Sequence, residues 1–229
     1  MKNVLIACEE SQRTTIAFRK RGFNAFSCDI QESSGGHPEW HINADVLPLL
    51  NGDCTFRTED GKEHTVYGKW DLIIAHPPCT YLTVAGNRWF NVERYGIEAK
   101  IRWQKRFEAY DFFMKFINAD CDHIAVENPV GYVSHHYRLA DQIIHPYYFY
   151  DGNPENWVTK RTALWLKGLP KLKRTYTGPE YEFTEKWSNG KNKNWTEKHP
   201  DPKLRSKTFE CVANAFAEQW GDYINEQDN

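Results

Sequence analysis

Short runs of consecutive apolar residues alternate with stretches of helical periodicity along most of this chain. Asn3 to Ala7 is the first apolar run, Ser11 to Arg21 has helical polarity, and Asn24 to Cys28 is apolar again before Asp29. These segments predict strand, helix and strand, the opening of a βαβ unit. Residues 42–46 predict a third short strand or strand end. Cys54 to Thr58 and Glu63 to Tyr67 flank the pair Asp60-Gly61, which predicts a hairpin inserted over residues 53–69. Asp71 to Ala75 is an apolar run of the kind buried on both faces of a parallel sheet. It leads directly into His76-Pro77-Pro78-Cys79, where the chain has to leave the sheet.

Between Ile97 and Asn118, apolar residues at 97, 101, 107, 110, 114 and 117 recur near the helical period, with Lys100, Arg102, Lys105 and Arg106 mostly elsewhere on the wheel. This is the longest predicted helix. His123 to Val126 predicts a strand ending at Glu127-Asn128-Pro129, and Ala163 to Leu166 another before Gly168-Leu169-Pro170. Phe209, Val212, Ala213, Phe216 and Trp220 mark an amphipathic helix within 205–222 that closes the domain. Strands alternating with helices predict an α/β fold built on a doubly wound, mostly parallel sheet. The length of 229 residues suits one such domain over 1–229.

Composition narrows the class. A hydrophobic fraction of 40% and an aromatic fraction of 15% argue for a folded chain. No run approaches the roughly 18 apolar residues of a membrane span, and Val4 to Ala7 is too short for the core of a signal peptide. The expectation is a cytoplasmic protein without membrane contact. Six cysteines at 8, 28, 54, 79, 121 and 211 form no C-x-x-C pair, so they read as free thiols, mostly small buried hydrophobes. His37, His41, His135, His136 and Cys121-Asp122-His123 match no tetrahedral ligand spacing, and no metal is assigned.

With 29 Lys and Arg against 31 Asp and Glu, the net charge of -2 excludes a uniformly basic nucleic-acid binder. The distribution is uneven. Residues 160–207 hold 13 Lys/Arg against 5 Asp/Glu, a balance of +8, and residues 88–106 hold 6 against 2, a balance of +4. Tyr176, Tyr181, Phe183, Trp187 and Trp195 are interleaved with the first stretch. Basic residues among aromatics suit nucleic-acid backbones and splayed bases, and a solvated lysine-rich loop is the competing reading. Arg88, Lys160, Trp187 and Lys191 are the candidate contacts.

In an open α/β sheet, ligands bind beyond the C-terminal strand ends. Those ends carry Cys8-Glu9-Glu10, Asp29-Ile30, Asp45-Val46, His76-Pro77-Pro78-Cys79 and Glu127-Asn128-Pro129. An acid after the second strand is the usual partner of ribose hydroxyls, so Asp29 points to an adenosine-containing cofactor; a turn or capping role is the alternative for Asp29 and Asp45. Two prolines stiffen the approach to Cys79 and present its thiol on a loop. Glu127 follows 48 residues later, after one loop, one long helix and a strand, so the two strand ends are expected side by side. A thiol that attacks an electron-poor ring needs an acid for that ring, which a buried carboxyl with a raised pKa supplies.

Pro77-Pro78-Cys79, Glu127-Asn128-Pro129 and Thr159-Lys160-Arg161-Thr162, in this order, resemble the Pro-Cys, Glu-Asn-Val and Gln-x-Arg-x-Arg motifs of DNA cytosine-5 methyltransferases. Val4 to Gln12, Asp29-Ile30 and Asp45-Val46 occupy the places of that family's first three cofactor motifs, and Arg205-Ser206-Lys207-Thr208 that of its last. The runs 76–83, 126–129 and 164–170 resemble small phage-encoded proteins of the family. The resemblance implies a Rossmann-like fold that binds S-adenosylmethionine. Asp29 would meet the ribose, Ile30 the adenine and Asp45 the adenine amino group. The Ala7-Cys8-Glu9 turn would lie near the methionine, with Val46 and Pro77 completing the cofactor site. Cys79 would attack carbon 6 of a cytosine flipped from DNA while Glu127 holds or protonates ring nitrogen 3. Arg161 would help position the flipped nucleotide or Glu127, and Lys160 would meet a phosphate.

The sequence departs from the family in the glycine-free turn Ala7 to Gln12, in Thr80, in Pro129, and in a recognition region reduced to about residues 168–204. A region this short implies relaxed specificity, a single-stranded or nucleotide substrate, or a protein partner that recognises the target. Two other readings stay open. One is an amino-group methyltransferase making N4-methylcytosine or N6-methyladenine, on the Pro-Pro core of residues 76–79. The other is a methyltransferase-like protein without turnover that binds DNA or a partner.

Overall fold

A computed structural model describes residues 1–186, 188, 190–192, 195–199 and 201–227. The chain begins with β1 (Asn3–Ala7), α1 (Arg13–Lys20), β2 (Asn24–Asp29) and β3 (His41–Asn43), followed by β4 (Cys54–Arg57), β5 (Glu63–Val66) and β6 (Leu72–Ala75). Helix α2 (Val92–Ile117), β7 (Ile124–Asn128), α3 (Tyr132–His136), β8 (Gln142–Ile144) and β9 (Thr162–Lys167) come next. Short helices α4 (Trp195–Lys198) and α5 (Pro202–Ser206) precede α6 (Glu210–Glu226). Among the described residues no helix is long and apolar enough to cross a membrane.

The fold is α/β, with a seven-stranded sheet in the order β3-β2-β1-β6-β7-β9-β8. All neighbours pair in parallel except β9, which runs antiparallel to both β7 and β8. Continuous apolar runs make the central strands because both of their faces are covered. Successive side chains alternate between the two layers, as the period of a strand requires. Leu5, Ala7, Phe26, Ile73, Ala75 and Val126 face one layer with Phe113 and Phe116 of α2. Val4, Ile6, Ala25, Leu72, Ile74 and Ala125 face the other, against Phe18 of α1 and Val212, Phe216 and Trp220 of α6. β4 and β5 form a separate antiparallel pair whose Cys54, Phe56 and Val66 join the first layer.

Three elements differ from the sequence pattern. β3 ends at Asn43, leaving Asp45 in a loop and Val46 in the core. The predicted C-terminal helix is broken: Lys207 and Phe209 are extended, and they separate α5 from α6. Helix α2 starts five residues before Ile97 and changes direction at Gly96, with φ 53° and ψ -124°. Tyr110, Met114 and Ile117 of the predicted apolar face pack against the core, but the N-terminal half of that face does not. Ile97, Ile101 and Phe107 are exposed while Arg106 is buried. The Arg106 guanidinium stays buried because it donates to the Tyr81 carbonyl at 2.7 Å and to Asn87 Oδ1 at 2.8 Å, and lies 3.4 Å from the Phe90 ring centre.

Candidate active site

β1 and β6 are neighbours at the point where strand order reverses, so the crevice beyond their C-terminal ends is where such a sheet binds ligands. Two groups of sequence-predicted residues meet at this edge.

The first follows β1, β2 and β3. The Cys8 amide donates to the Cys28 carbonyl at 2.7 Å, and Cys8 and Gln12 hold left-handed φ values of 60° and 56°. The glycine-free turn thus reaches a shape usually given to glycine, at about 1 kcal/mol or more per residue. Gln12 is held in it by His37, whose amide donates to Oε1 at 3.0 Å and whose carbonyl accepts from Nε2 at 2.8 Å. The Glu9 carboxylate accepts from the amides of Thr14 and Thr15 at 2.6 and 3.1 Å and from Thr15 Oγ1 at 2.8 Å. A side-chain anion therefore already fills the N-terminal seat of α1, where a phosphate would otherwise bind.

Burial pushes the Cys8 thiol well above its ordinary pKa and Cys28 up to about 12, with the charges of Asp29 and Asp45 adding to both. The two carboxylates thus act on the same turn. Each also accepts from a backbone amide two residues on: Asp29 from Gln31 at 2.9 Å, Asp45 from Leu47 at 3.0 Å. Ile30, next to Asp29, is 81% exposed. The side chains of Ala7 and Val46 are buried in the core and Pro77 is buried as well, so these three offer backbone and shape more than side-chain contacts.

The second group follows β6 and β7. Ala75 pairs with Val126, which brings the chain entering Cys79 beside Glu127. Cys79 alone among the six cysteines is exposed. Desolvation of its sulfur, and then the Glu127 charge, raise its pKa, while Lys160 and Arg205 oppose the rise. Glu127 Oε2 lies 3.3 Å from His76 Nδ1. Burial pushes this carboxyl up, but the His76 hydrogen bond and the Lys160 charge outweigh it, and the net direction is down. The expected raised pKa of Glu127 is thereby corrected: two partners hold the ionised form in place.

Lys160 takes the place expected of Arg161 beside Glu127. It donates to the carbonyls of Arg205 and Lys207 at 2.8 and 3.4 Å, and with His76, Glu127 and Thr162 it lines a cavity of about 10 Å³. Side chains alternate in an extended segment, so Lys160 and Thr162 share the cavity and Arg161 does not. Arg161 is exposed, and its charge, after burial, helps lower the pKa of His145. The break between α5 and α6 is what turns the two carbonyls toward Lys160.

Backbone contacts hold the cysteine loop. The amides of Leu82 and Thr83 donate to the Cys79 carbonyl at 2.9 and 3.0 Å, and Tyr132 donates to the Leu82 carbonyl at 2.7 Å. At Gly131 a Cβ would stand 2.1 Å from that same Leu82 oxygen, so a side chain there cannot coexist with the loop.

The candidate nucleic-acid residues fare differently. Arg88 is exposed with its guanidinium 4.6 Å from the Trp89 ring centre, Lys191 is exposed, and Trp187 lies outside the described residues. Of the aromatics interleaved with the basic stretch, Tyr176 and Tyr181 pack on Trp157, Phe183 on Tyr181, and Trp195 on Phe209. They serve local packing. His76, Asn128 and Arg205 carry site contacts that no candidate role anticipated. His76 and Asn128 lie within the strand-end motifs, whereas the approach of Arg205 to Cys79 spans 126 residues of chain, and its signal is the resemblance of residues 205–208 to the family's last motif.

Compared with known proteins, the chain matches no protein-family model and no curated sequence.

Proposed function

We propose that this chain transfers a methyl group from S-adenosylmethionine to carbon 5 of cytosine in DNA. The observation that carries the reading is the coupled pair Cys79 and Glu127, an exposed thiol and a part-buried carboxylate on neighbouring strand ends at the ligand-binding edge of the sheet.

The two carboxylates after β2 and β3 suit the cofactor. Asp29 and Asp45 supply acceptors for ribose hydroxyls and an adenine amino group, and Ile30 an apolar face for the ring. Glu9 at the head of α1 disfavours a phosphate-bearing cofactor and favours a cationic one. When bound, S-adenosylmethionine supplies an electrophilic methyl group.

The charges of the resting site also suit the reaction. The surroundings favour the protonated thiol and the ionised Glu127, whereas attack needs a thiolate and a protonated ring. One proton leaving Cys79 Sγ and arriving at cytosine nitrogen 3, held there by Glu127, answers both needs. The Sγ to carbon 6 bond then forms and electron density moves to carbon 5. After methylation, solvent water takes the carbon 5 proton, and the electron pair of that bond restores the carbon 5 to carbon 6 double bond as the Sγ bond breaks. The nitrogen 3 proton returns to the Cys79 thiolate. Lys160 and His76 keep the carboxylate in place, each through a hydrogen bond or charge seen in the resting site.

DNA carrying 5-fluorocytosine, incubated with the protein and S-adenosylmethionine, is the test. Fluorine cannot leave as a proton does, so a denaturing gel should show a covalent adduct that is absent from Cys79→Ser. The absence of adduct in every sequence context, with folded protein, overturns the proposal. N4-methylcytosine or N6-methyladenine as product would point to the amino-group chemistry instead.

A further inference from the structure

The turn that carries Cys79 forms one wall of a second cleft that the reaction does not use. Tyr81, two residues past the thiol, faces Trp89, Tyr95, Glu98, Arg102 and Lys105 across an open groove of about 330 Å³. That volume lies in the roughly 300–1,000 Å³ range of small-ligand clefts.

Its walls have an uncommon chemistry. Trp89 and Tyr95 stand 5.1 Å apart between ring centres. Cations sit over all three rings: Arg88 4.6 Å from Trp89, Arg94 5.3 Å from Tyr95, and Arg102 and Lys105 5.0 and 5.8 Å from Tyr81. Trp89 is 42% exposed, and Ile97 and Ile101 on the same half of α2 are exposed too. The groove is held from beneath by buried Arg106 through the Tyr81 carbonyl and Asn87. Residues 88–106 carry a balance of +4.

We propose that this groove binds an unpaired nucleobase and its phosphate in a single-stranded DNA segment beside the target nucleotide. The aromatic faces stack on the base, Arg88, Arg102 and Lys105 meet the backbone, and Glu98 accepts from an exocyclic amino group. Flat π-faces beside cations match the two invariant parts of a nucleotide, and an anionic strand complements the local charge. Continuity with the Cys79 turn places the base next to the reacting one. The inference rests on the reading of DNA as substrate.

Fluorescence anisotropy with a short labelled single-stranded DNA, beside its duplex, tests it on the full chain. Base stacking on an aromatic is worth about 1–3 kcal/mol, so Trp89→Ala should weaken single-strand binding about 5- to 150-fold. Trp89→Phe should restore most of the loss, and Lys105→Glu should weaken binding and lower the slope of log affinity against log salt. In a parallel arm, 5-iodouracil beside the target cytosine should crosslink to Trp89 or Tyr95 on illumination. Single-strand affinity that is unchanged in both Trp89→Ala and Lys105→Glu overturns the proposal, as does a wild-type chain that binds no single strand. The adduct assay separates the two readings. Adduct formation with Trp89-independent binding removes the groove and keeps methyl transfer; Trp89-dependent binding without adduct does the reverse.

Discussion

Asn128 donates from Nδ2 to the Pro77 carbonyl at 2.8 Å, binding the strand end that carries Glu127 to the turn that presents Cys79. Cys79 and Glu127 follow different strands, and this buried bond links the two strand ends. Removing one partner of a buried hydrogen bond costs about 1–3 kcal/mol. Asn128→Ala should therefore lower thermal stability by that amount and slow adduct formation, although neither Cys79 nor Glu127 is altered. Unchanged adduct kinetics in a destabilised variant would confine Asn128 to a structural role.

The pH dependence of the thiol follows from its neighbours. Desolvation and the Glu127 charge raise the Cys79 pKa, and Lys160 lowers it. The rate of alkylation by iodoacetamide should climb with pH through a midpoint above that of an ordinary thiol, because only the thiolate reacts. Glu127→Gln removes a negative neighbour and should move that midpoint down. Lys160→Met removes a positive one and should move it up. Mass spectrometry of the Cys79 peptide reads both shifts, and a midpoint indifferent to either substitution would deny the coupling.

Glu127→Gln also bears on transfer itself. General acid or base help is worth roughly 10²–10⁴-fold, so methylation measured with tritiated cofactor should fall by at least that range. His76→Ala removes the 3.3 Å partner of Glu127 and should reduce transfer less than Glu127→Gln, while leaving cofactor binding by calorimetry intact.

Packing at Gly131 makes a separate demand. A Cβ there would meet the Leu82 carbonyl at 2.1 Å, and that backbone cannot yield without moving the Cys79 turn. Gly131→Ala should cost about 1–3 kcal/mol on thermal unfolding and slow adduct formation as well. Wild-type behaviour in both measurements would mean that the loop shifts freely.

The first turn is open to a conformational test. Cys8 holds φ 60°, a region that glycine enters without cost and β-branched residues avoid. Cys8→Gly should keep or raise the melting temperature, and Cys8→Val should lose about 1–3 kcal/mol. Equal stability of the two would show that the turn relaxes.

How much of this was legible along the chain differs from element to element. β1 was predicted to the residue, since Val4 to Ala7 is a continuous apolar run of the kind that a strand buried on both faces accommodates. Cys79 and Glu127 stand out along the chain as candidates because strand ends collect ligand-binding groups and few residue types serve as nucleophile and acid. Three-residue β8 is too short for a periodic signal, and the reversed direction of β9 leaves no trace in its apolar pattern.

Other features exist only through long-range contacts. The burial of Arg106 depends on a carbonyl 25 residues away, so near its middle α2 buries a residue that hydropathy alone assigns to solvent. Lys160 rather than Arg161 stands by Glu127 because carbonyls 45 and 47 residues further on receive its ammonium. The same placement of partners inverts the expected direction of the Glu127 pKa. Local sequence determined the central strands and which chemical groups stand at their ends, since covalent neighbours and side-chain period suffice for those. Tertiary structure alone decided which cation faces the carboxylate, which charge each group holds and where the aromatic groove opens, because electrostatics and burial depend on distance in space.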